Sequence, residues 1–489
     1  MKDYSAFLAE KIRNGEQVAL YCYGILAGHM LYRLKTFHGV LPAVVVDNDE
    51  QKRGNAEFGV PVMPFADARE RFQNLQYFIC TDDFKYAIIG DMLEKGVLPE
   101  NIVNYVPVKK EVSCLPLRSR LLIDLYPAEA GVHGVRSCCE AAFENAEKVN
   151  QTAIQFPFEE EGYPDLEARL DALMSPFEEG RTEVCRGCPL WQEQYMVARE
   201  YERRWKQVAF YQTSCVDCLS HCVYCCAGAA DKDVKASPEF QTDRLSYYAG
   251  FVNRLLAFGR LDDDFTCTID MSERDIDCKI GFVAGALQRA GLSPLIYKIG
   301  SCLMTYSGNL EELLRQGKAY IIWSLDAGTR ETYRKIKQVD VFDHVLENVK
   351  RYISHDVFSG RFIVAKYLIV KGINDNEKEF DEYLRLVLEL GLTYVSLSFD
   401  FYVKAEESDL EFIRSCYQKI CAHGLQLTNK NNSEVVTAAL SMTSTRRQTV
   451  TAVPKINERR RYDVKTEPNF SVHSRVDGRG GQKPPLKPN

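Results

Sequence analysis

The sequence predicts an α/β protein whose strands form parallel sheets. Short apolar runs alternate with amphipathic runs of helical periodicity, which is the pattern of parallel strands joined by crossover helices. The chain has 489 residues, of which 46% are hydrophobic, so it can bury two or three separate cores. We therefore expect a first domain at 1–108, a helical linker at 109–204 and a core domain at 205–430.

The first domain begins with one strand–helix–strand unit. A strand, a glycine turn, a helix and a second strand are predicted at 18–23, 24–28, 29–37 and 43–46. A glycine turn that opens a helix can bind phosphate, and an acidic residue about 20 positions later can bind a ribose hydroxyl. Gly24, Gly28 and Asp47 are therefore candidate nucleotide contacts, although Leu26 and His29 replace glycines of the dinucleotide fingerprint. A docking domain without cofactor is the alternative.

Further segments of the first domain resemble a known type of module. These segments are residues 47–54, 58–62, 77–83 and 100–103. They are similar to the Rossmann-like domains attached to sugar acyltransferases, methyltransferases and glycosyltransferases of surface-polysaccharide pathways. The resemblance implies a Rossmann-like, nucleotide-binding-type domain in front of the rest of the chain.

The core domain, 205–430, is predicted to contain six strand–helix units. The strands are expected at 208–213, 265–270, 295–299, 319–325, 361–371 and 394–399. The helices are expected at 243–258, 276–290, 310–316, 341–353, 377–390 and 407–423. Six such units would curve into a partial barrel whose site lies at the carboxyl ends of its strands.

Three cysteines follow the first strand of the core domain: Cys218, Cys222 and Cys225. Thiolates are soft ligands that select iron–sulfur clusters, zinc or copper(I). Three thiols in one loop leave a four-iron cluster with one iron that has no protein ligand. The loop lies at the carboxyl end of a strand, where a site is expected.

Four more cysteines are candidates for a second metal site, iron–sulfur or zinc: Cys185, Cys188, Cys215 and Cys226. Cys185 and Cys188 are two residues apart around a glycine, as in a metal-binding knuckle. In a competing assignment, Cys218 leaves the three-cysteine loop and completes a zinc ribbon, C-x2-C-x26-C-x2-C. That assignment leaves Cys226 and the other loop cysteines without a function.

The spacing C-x3-C-x2-C, with Tyr224 before the last cysteine, resembles the signature of the radical S-adenosylmethionine (SAM) enzymes. Residues 324–333, 335–337, 347–352 and 366–375 resemble the fourth and fifth strand–helix units of that family. The resemblance implies a partial (β/α)6 barrel and a 4Fe-4S cluster that binds SAM. It further implies reductive cleavage of SAM to a 5′-deoxyadenosyl radical that abstracts hydrogen from a substrate, with a flavodoxin or ferredoxin as electron donor.

Five residues of the core domain are candidate SAM contacts. Tyr224 lies within the cysteine loop, and Glu273 keeps the carboxylate of the family's Gly-Gly-Glu stretch, which can bind the SAM ammonium. Ser324 and Asp326 are two residues apart at a strand end, so they are predicted to share a face, with a helix-capping turn as the alternative. Lys366, inside an apolar strand, is predicted to point into the barrel mouth rather than to extend outward.

Composition excludes several other classes. A net charge of −7 gives no general affinity for nucleic acid. No run approaches the roughly 20 apolar residues of a membrane span, and no signal-peptide pattern is present, so a cytoplasmic protein is expected. The basic tail, 441–489, is expected to be disordered.

The favoured substrate is a sugar or carrier-linked glycan; a peptide-modifying enzyme and a non-catalytic zinc-ribbon or nucleotide-binding scaffold are the alternatives.

Overall fold

The protein was analysed as a computed structural model. The structure describes residues 3–81, 84–114, 119–124, 132–136, 153–157, 166–171, 191–198, 201, 205–211, 218–225, 252–257, 261–270, 273–353, 359–400, 403–428 and 434–441. These residues form a mixed α/β fold with parallel sheets, which confirms the predicted fold class. Within them, no helix is long and apolar enough to cross a membrane. The predicted tail beyond 441 lies outside the described residues.

The first domain contains a five-stranded sheet. Its strands are β1 Val18–Tyr21, β2 Val44–Val46, β3 Gly54–Asn55, β4 Pro61–Met63 and β5 Gln76–Ile79. Its helices are α1 Tyr4–Arg13, α2 Ile25–His38, α3 Phe65–Arg71 and α4 Lys85–Glu94. The order is β3-β4-β2-β1-β5, and all neighbours are parallel except β3 and β4. All residues of β1 and β2 are buried because the parallel sheet is covered on both faces.

The region between 109 and 204 contains strands that the sequence analysis does not predict. They are β6 Val108–Ser113, β7 Arg120–Asp124, β8 Val132–Arg136, β9 Ala153–Pro157 and β10 Gln192–Val197. Strands β6 and β10 pair with each other as an antiparallel ribbon, whereas β7, β8 and β9 form an antiparallel meander. Helical backbone is described here at 166–171. Residues 137–152 of the predicted helical linker lie outside the described residues.

The second sheet has ten strands. Those of the core domain are β11 Trp205–Tyr211, β12 Leu261–Asp270, β13 Ile296–Ser301, β14 Ala319–Ser324, β15 Ile363–Ile369, β16 Tyr394–Phe399 and β17 Gln426–Leu427. The order is β17-β16-β15-β14-β13-β12-β11-β7-β8-β9, parallel from β17 to β7. All six strands predicted for this domain are present in sequence order. The sheet formed by the described strands is open, as in a partial barrel.

Helices cover the outer face of this sheet. They are α5 Ile276–Arg289, α6 Gly308–Arg315, α7 Arg330–Lys337, α8 Phe342–Ile353, α9 Glu377–Glu389, α10 Glu407–Ala422 and α11 Glu434–Ser441. Between β15 and α9 the buried rings of Tyr367 and Tyr383 lie 4.7 Å apart. Helix α7 is not predicted from sequence because most of its residues are charged. It begins where the Thr329 hydroxyl accepts the N–H of Thr332.

The first domain packs against the amino-terminal ends of the strands of the second sheet. The ring of His29 in α2 stacks on Phe362, which directly precedes β15, with 4.0 Å between centroids. Asp264, in the first half of β12, accepts hydrogen bonds from Lys85 of α4 at 2.8 Å and from Lys206 of β11 at 3.1 Å. All three charged side chains are buried. The opposite, carboxyl ends of the strands are therefore the ends that the first domain leaves available for a site.

Candidate functional site

The cysteine loop, residues 218–225, lies against the end of helix α7. The main-chain N–H of His221 donates to the carbonyl of Lys337 at 3.0 Å, and the N–H of Val223 donates to the carbonyl of Ile336 at 3.0 Å. The Tyr224 hydroxyl of the loop also donates to Asp326, which follows the carboxyl end of strand β14, so the loop lies near the carboxyl ends of the parallel strands. This is the location that the sequence predicts for the loop.

The three loop cysteines are partly exposed and are not joined in disulfides. The Ser220 hydroxyl lies 3.4 Å from the sulfur of Cys218 and 3.5 Å from that of Cys222. The N–H of Cys225 donates to the Cys222 carbonyl at 3.0 Å. Within the described part of the chain, no three His, Cys, Asp or Glu side chains converge as a metal site requires. The donors nevertheless fit iron–sulfur chemistry, since thiolates are the usual ligands of such clusters.

A fourth cysteine, Cys302, belongs to this site and is missed by sequence reasoning. It directly follows strand β13, and its thiol hydrogen-bonds the Cys222 sulfur. This hydrogen bond, together with the charge of Lys337, lowers the pKa of Cys222 despite burial. Cys302 carries no spacing motif. Its one sequence signal is its position at the carboxyl end of a predicted strand.

Glu273 is buried, and its carboxylate holds the loop after β13. Oε1 accepts hydrogen bonds from the Ser301 hydroxyl at 2.8 Å and from the Cys302 N–H at 2.5 Å. Oε2 accepts from the Met304 N–H at 3.2 Å, and the Thr305 N–H also donates to the carboxylate. Burial raises the pKa of Glu273, against the opposing effect of these donors. Its predicted contact with the SAM ammonium stays a prediction, because four donors of the chain already use its acceptor positions.

Tyr224, Asp326 and Lys337 form a compact network beneath the cysteine loop. Asp326 Oδ2 accepts from the Tyr224 hydroxyl at 2.5 Å and from Lys337 Nζ at 2.6 Å. Lys337 Nζ also donates to the Tyr224 oxygen at 2.8 Å. Burial alone would raise the pKa of Asp326, but the charge of Lys337 holds it below its usual value. Two predicted cofactor contacts, Tyr224 and Asp326, thus contact each other.

Ser324 and Asp326 do not share a strand face as the two-residue spacing predicts. Strand β14 ends at Ser324, and Asp326 has a left-handed φ of 59°, so strand alternation does not reach it. Ser324 instead pairs in register with Lys366 of β15, and both are half-buried. This pairing places Ser324 and Lys366 on the face of the sheet opposite the buried Trp323.

The candidate nucleotide contacts of the first domain differ from the predicted arrangement. Helix α2 begins at Ile25, so Gly24 is its N-cap, and Gly28 lies inside the helix rather than at the end of a turn. The Asp47 carboxylate accepts the N–H of Tyr23 at 2.8 Å, directly before the helix. Nucleotide binding by these residues stays a prediction. Cys185, Cys188, Cys215 and Cys226, predicted for a second metal site, lie outside the described residues.

No protein-family model and no curated protein matches the chain. Among solved structures, it is similar to a radical SAM methyltransferase from Sphaerobacter thermophilus, with a TM-score of 0.33 and 16% identity over 45% of this chain and 64% of that chain. It is also similar to anSMEcpe with bound AdoMet and Cp18Cys peptide (TM-score 0.34, 10% identity, covering 45% and 63%). A third is methylornithine synthase, PylB (TM-score 0.33, 14% identity, covering 48% and 68%). This chain covers less than two thirds of the length of the first two of these proteins.

Proposed function

We propose that this protein is a radical SAM enzyme in which Cys218, Cys222 and Cys225 hold a 4Fe-4S cluster. The observation that carries the proposal is the position of three partly exposed cysteines in one loop, which is hydrogen-bonded to the end of α7 and to Asp326 at the carboxyl ends of a parallel sheet. In α/β barrels the reacting groups lie at these ends. When bound, such a cluster chelates SAM through its open iron and supplies the electron that cleaves SAM to the 5′-deoxyadenosyl radical.

The residues of the chain would then bind and orient SAM and substrate. Polar side chains occupy the face of the sheet opposite the helices. Gln207 of β11 accepts a hydrogen bond from Arg120 at 3.0 Å and donates one to the Thr268 hydroxyl at 2.8 Å. Ser324 and Lys366 continue this face across β14 and β15. These hydrogen-bonding side chains, together with the cations Arg120 and Lys366, are suited to binding SAM and a hydroxyl-rich substrate.

We further propose a sugar or carrier-linked glycan as the substrate, with a nucleotide part held by Gly24, Gly28 and Asp47. The four cysteines Cys185, Cys188, Cys215 and Cys226 are proposed to bind a second iron–sulfur cluster or zinc, because thiolates suit both. The electron donor is proposed to be a flavodoxin or ferredoxin. With no membrane-spanning helix among the described residues, a cytoplasmic enzyme is proposed.

Anaerobic purification followed by iron, sulfide and zinc analysis tests the proposed function. The reconstituted enzyme, reduced with dithionite and given SAM, is expected to form 5′-deoxyadenosine. Replacement of any one of Cys218, Cys222 and Cys225 by Ala should abolish this product. Cys278→Ala is the matched control, because that cysteine is exposed on helix α5. Retained SAM cleavage in any loop variant would refute the assignment.

The substrate proposal has its own test. The reduced enzyme is incubated with SAM and with separate panels of nucleotide sugars and cysteine-rich peptides, and 5′-deoxyadenosine is quantified. Stimulation by a nucleotide sugar is the expected result. Stimulation by peptides alone would replace the glycan proposal with a peptide substrate, without affecting the assignment of the three cysteines.

A further inference from the structure

Lys337 is a fully buried cation at the end of helix α7. Its side chain and that of Asp326 are both 0% exposed, with 2.6 Å between Nζ and Oδ2. Its ammonium also lies 5.1 Å from the centre of the Tyr224 ring and donates to the Tyr224 oxygen. Removing two charges from water costs several kcal/mol per ion, on the order of what good pairing recovers. A pair buried this deeply next to a candidate cofactor loop therefore suggests a function beyond stability.

The network fastens the cysteine loop to helix α7. The last two residues of α7, Ile336 and Lys337, accept main-chain hydrogen bonds from the loop, and Val223 and Tyr224 pack with Ile336 in a small apolar cluster. Tyr224 lies between Cys222 and Cys225 in the sequence. Its position, set by Lys337 and Asp326, therefore restricts both neighbouring thiols.

The same network reaches strand β15. Asp326 Oδ1 accepts the Leu368 N–H at 2.9 Å, and the Asp326 carbonyl accepts from Asn374 Nδ2 at 2.8 Å. Asn374 is itself buried and also donates to the Leu368 carbonyl at 2.8 Å. The carboxylate has no exposed surface for a ligand. Asp326 is therefore better explained as a link between β15 and the loop than as a direct cofactor contact.

We propose that Lys337 is a positioning residue that, with Asp326 and Tyr224, holds the cysteine loop in place and keeps a positive charge beside Cys222. This inference rests on the proposed function. If Cys218, Cys222 and Cys225 hold a cluster that is reduced by one electron, the nearby charge of Lys337 would stabilise its more negative, reduced form. Lys337 thus has two effects: it restrains the thiols, and it favours electron uptake by a cluster bound to them.

Lys337→Met removes the charge with little change in length, and Lys337→Arg restores it. The matched control is Lys335→Met, two residues away on α7, where the lysine is 57% exposed and paired with Glu331 at the surface. At a fixed potential, the ratio of reduced to oxidised cluster in Lys337→Met is expected to fall about tenfold, equivalent to about 59 mV for one electron. An anaerobic redox titration, followed by electron paramagnetic resonance, measures this ratio of reduced to oxidised cluster. Lys337→Arg and Lys335→Met should stay near wild type.

The restraint on the loop is tested without a cluster. In the metal-free full chain, the rate of iodoacetamide labelling at Cys218, Cys222 and Cys225, followed by mass spectrometry, should rise severalfold in Lys337→Met and not in Lys335→Met. If Lys337→Met does not fold by circular dichroism, Lys337→Met with Asp326→Asn removes both buried charges and should show the same increase.

The possible results separate the two proposals. A wild-type labelling rate in Lys337→Met, or in Lys337→Met with Asp326→Asn, would overturn the positioning inference, and an unchanged potential in Lys337→Met would overturn the charge effect. A wild-type chain that binds no iron would instead refute the proposed function, while the labelling result would still decide whether Lys337 restrains the loop.

Discussion

The carboxylate of Glu273 accepts hydrogen bonds from four donors of the 301–305 segment, which carries Cys302 next to Cys222. A Gln side chain at this position would turn one oxygen into a donor that faces the main-chain N–H of Met304. A buried donor left without an acceptor costs about 1–3 kcal/mol. Glu273 therefore influences the site through the loop after β13, whatever it contributes to SAM binding directly.

Glu273→Gln is expected to lower the free energy of unfolding by about 1–3 kcal/mol. It should also weaken SAM binding roughly ten- to a hundredfold, as expected for a hydrogen bond to a charged group. Urea unfolding and calorimetry on the reconstituted enzyme measure the two effects. Glu312→Gln, at an exposed position of α6, is the control. A folded variant with unchanged SAM affinity would assign Glu273 to the loop alone.

The residues of the site differ in how well sequence could predict them. Cys218, Cys222 and Cys225 share a spacing motif, so one loop could be predicted from them. Cys302 and Lys337 are single residues whose importance arises from contacts across the fold. Cys302 and Lys337 reach the site because the fold places β13 and α7 next to the cysteine loop.

At the scale of elements, the parallel strands of the core domain are predictable because each contains a short apolar run, such as residues 319–323 of β14. The strands between 108 and 197 are not predicted, because polar and charged residues interrupt several of them, as in β6 and β10. Strand β7, for example, is defined by its pairing with β11, some 87 residues later, as between Arg120 and Gln207. Helix α7 was missed because only Tyr333 and Ile336 form its apolar side. Non-local pairing leaves little local signal.

The connection between β14 and α7 depends on close packing at Gly328. A Cβ on Gly328 would lie 2.1 Å from the main-chain N of Tyr383 in α9. Gly328→Ala should therefore force α7 and α9 apart and lower the free energy of unfolding by more than about 2 kcal/mol, as overpacking commonly does. Gly308→Ala is the matched control, because no atom lies within 4 Å of the added Cβ. Equal stability of the two variants in urea would contradict this packing.

At the scale of the whole molecule, the first domain and the second sheet are joined through buried charge. Arg361, just before β15, pairs with Glu57, whose carboxylate also accepts a hydrogen bond from the Tyr23 hydroxyl at 2.9 Å. The Asp264 cluster lies at the same, amino-terminal side of the sheet. In the proposed enzyme, substrate would reach the site from the carboxyl ends, where the cysteine loop lies. The first domain thus covers the amino-terminal side of the core domain, apart from its proposed role in nucleotide binding.

In the Asp264 cluster, two ammonium groups share one carboxylate. Burial and the neighbouring charge of Lys85 lower the pKa of Lys206 to about 8, against the attraction of Asp264. Because Lys206 has its ordinary pKa in the unfolded chain, the folded protein binds fewer protons between about pH 8 and 10.5. Stability contributed by this residue therefore rises with pH across that window.

Lys206→Met removes this titration and leaves Lys85 as the partner of Asp264. Relative to the variant, the wild type is expected to gain unfolding free energy as the pH is raised from about 8 toward 10.5, because only the wild type releases this proton on folding. Urea unfolding of both proteins at several pH values measures the difference in unfolding free energy between them. Tyrosines and cysteines titrate in both proteins, so their contributions cancel in this difference. Lys95→Met, at the exposed residue that follows α4, should show no such difference from wild type. Parallel pH profiles for wild type and Lys206→Met would mean that Lys206 keeps its proton and that the two domains meet across a fully charged cluster.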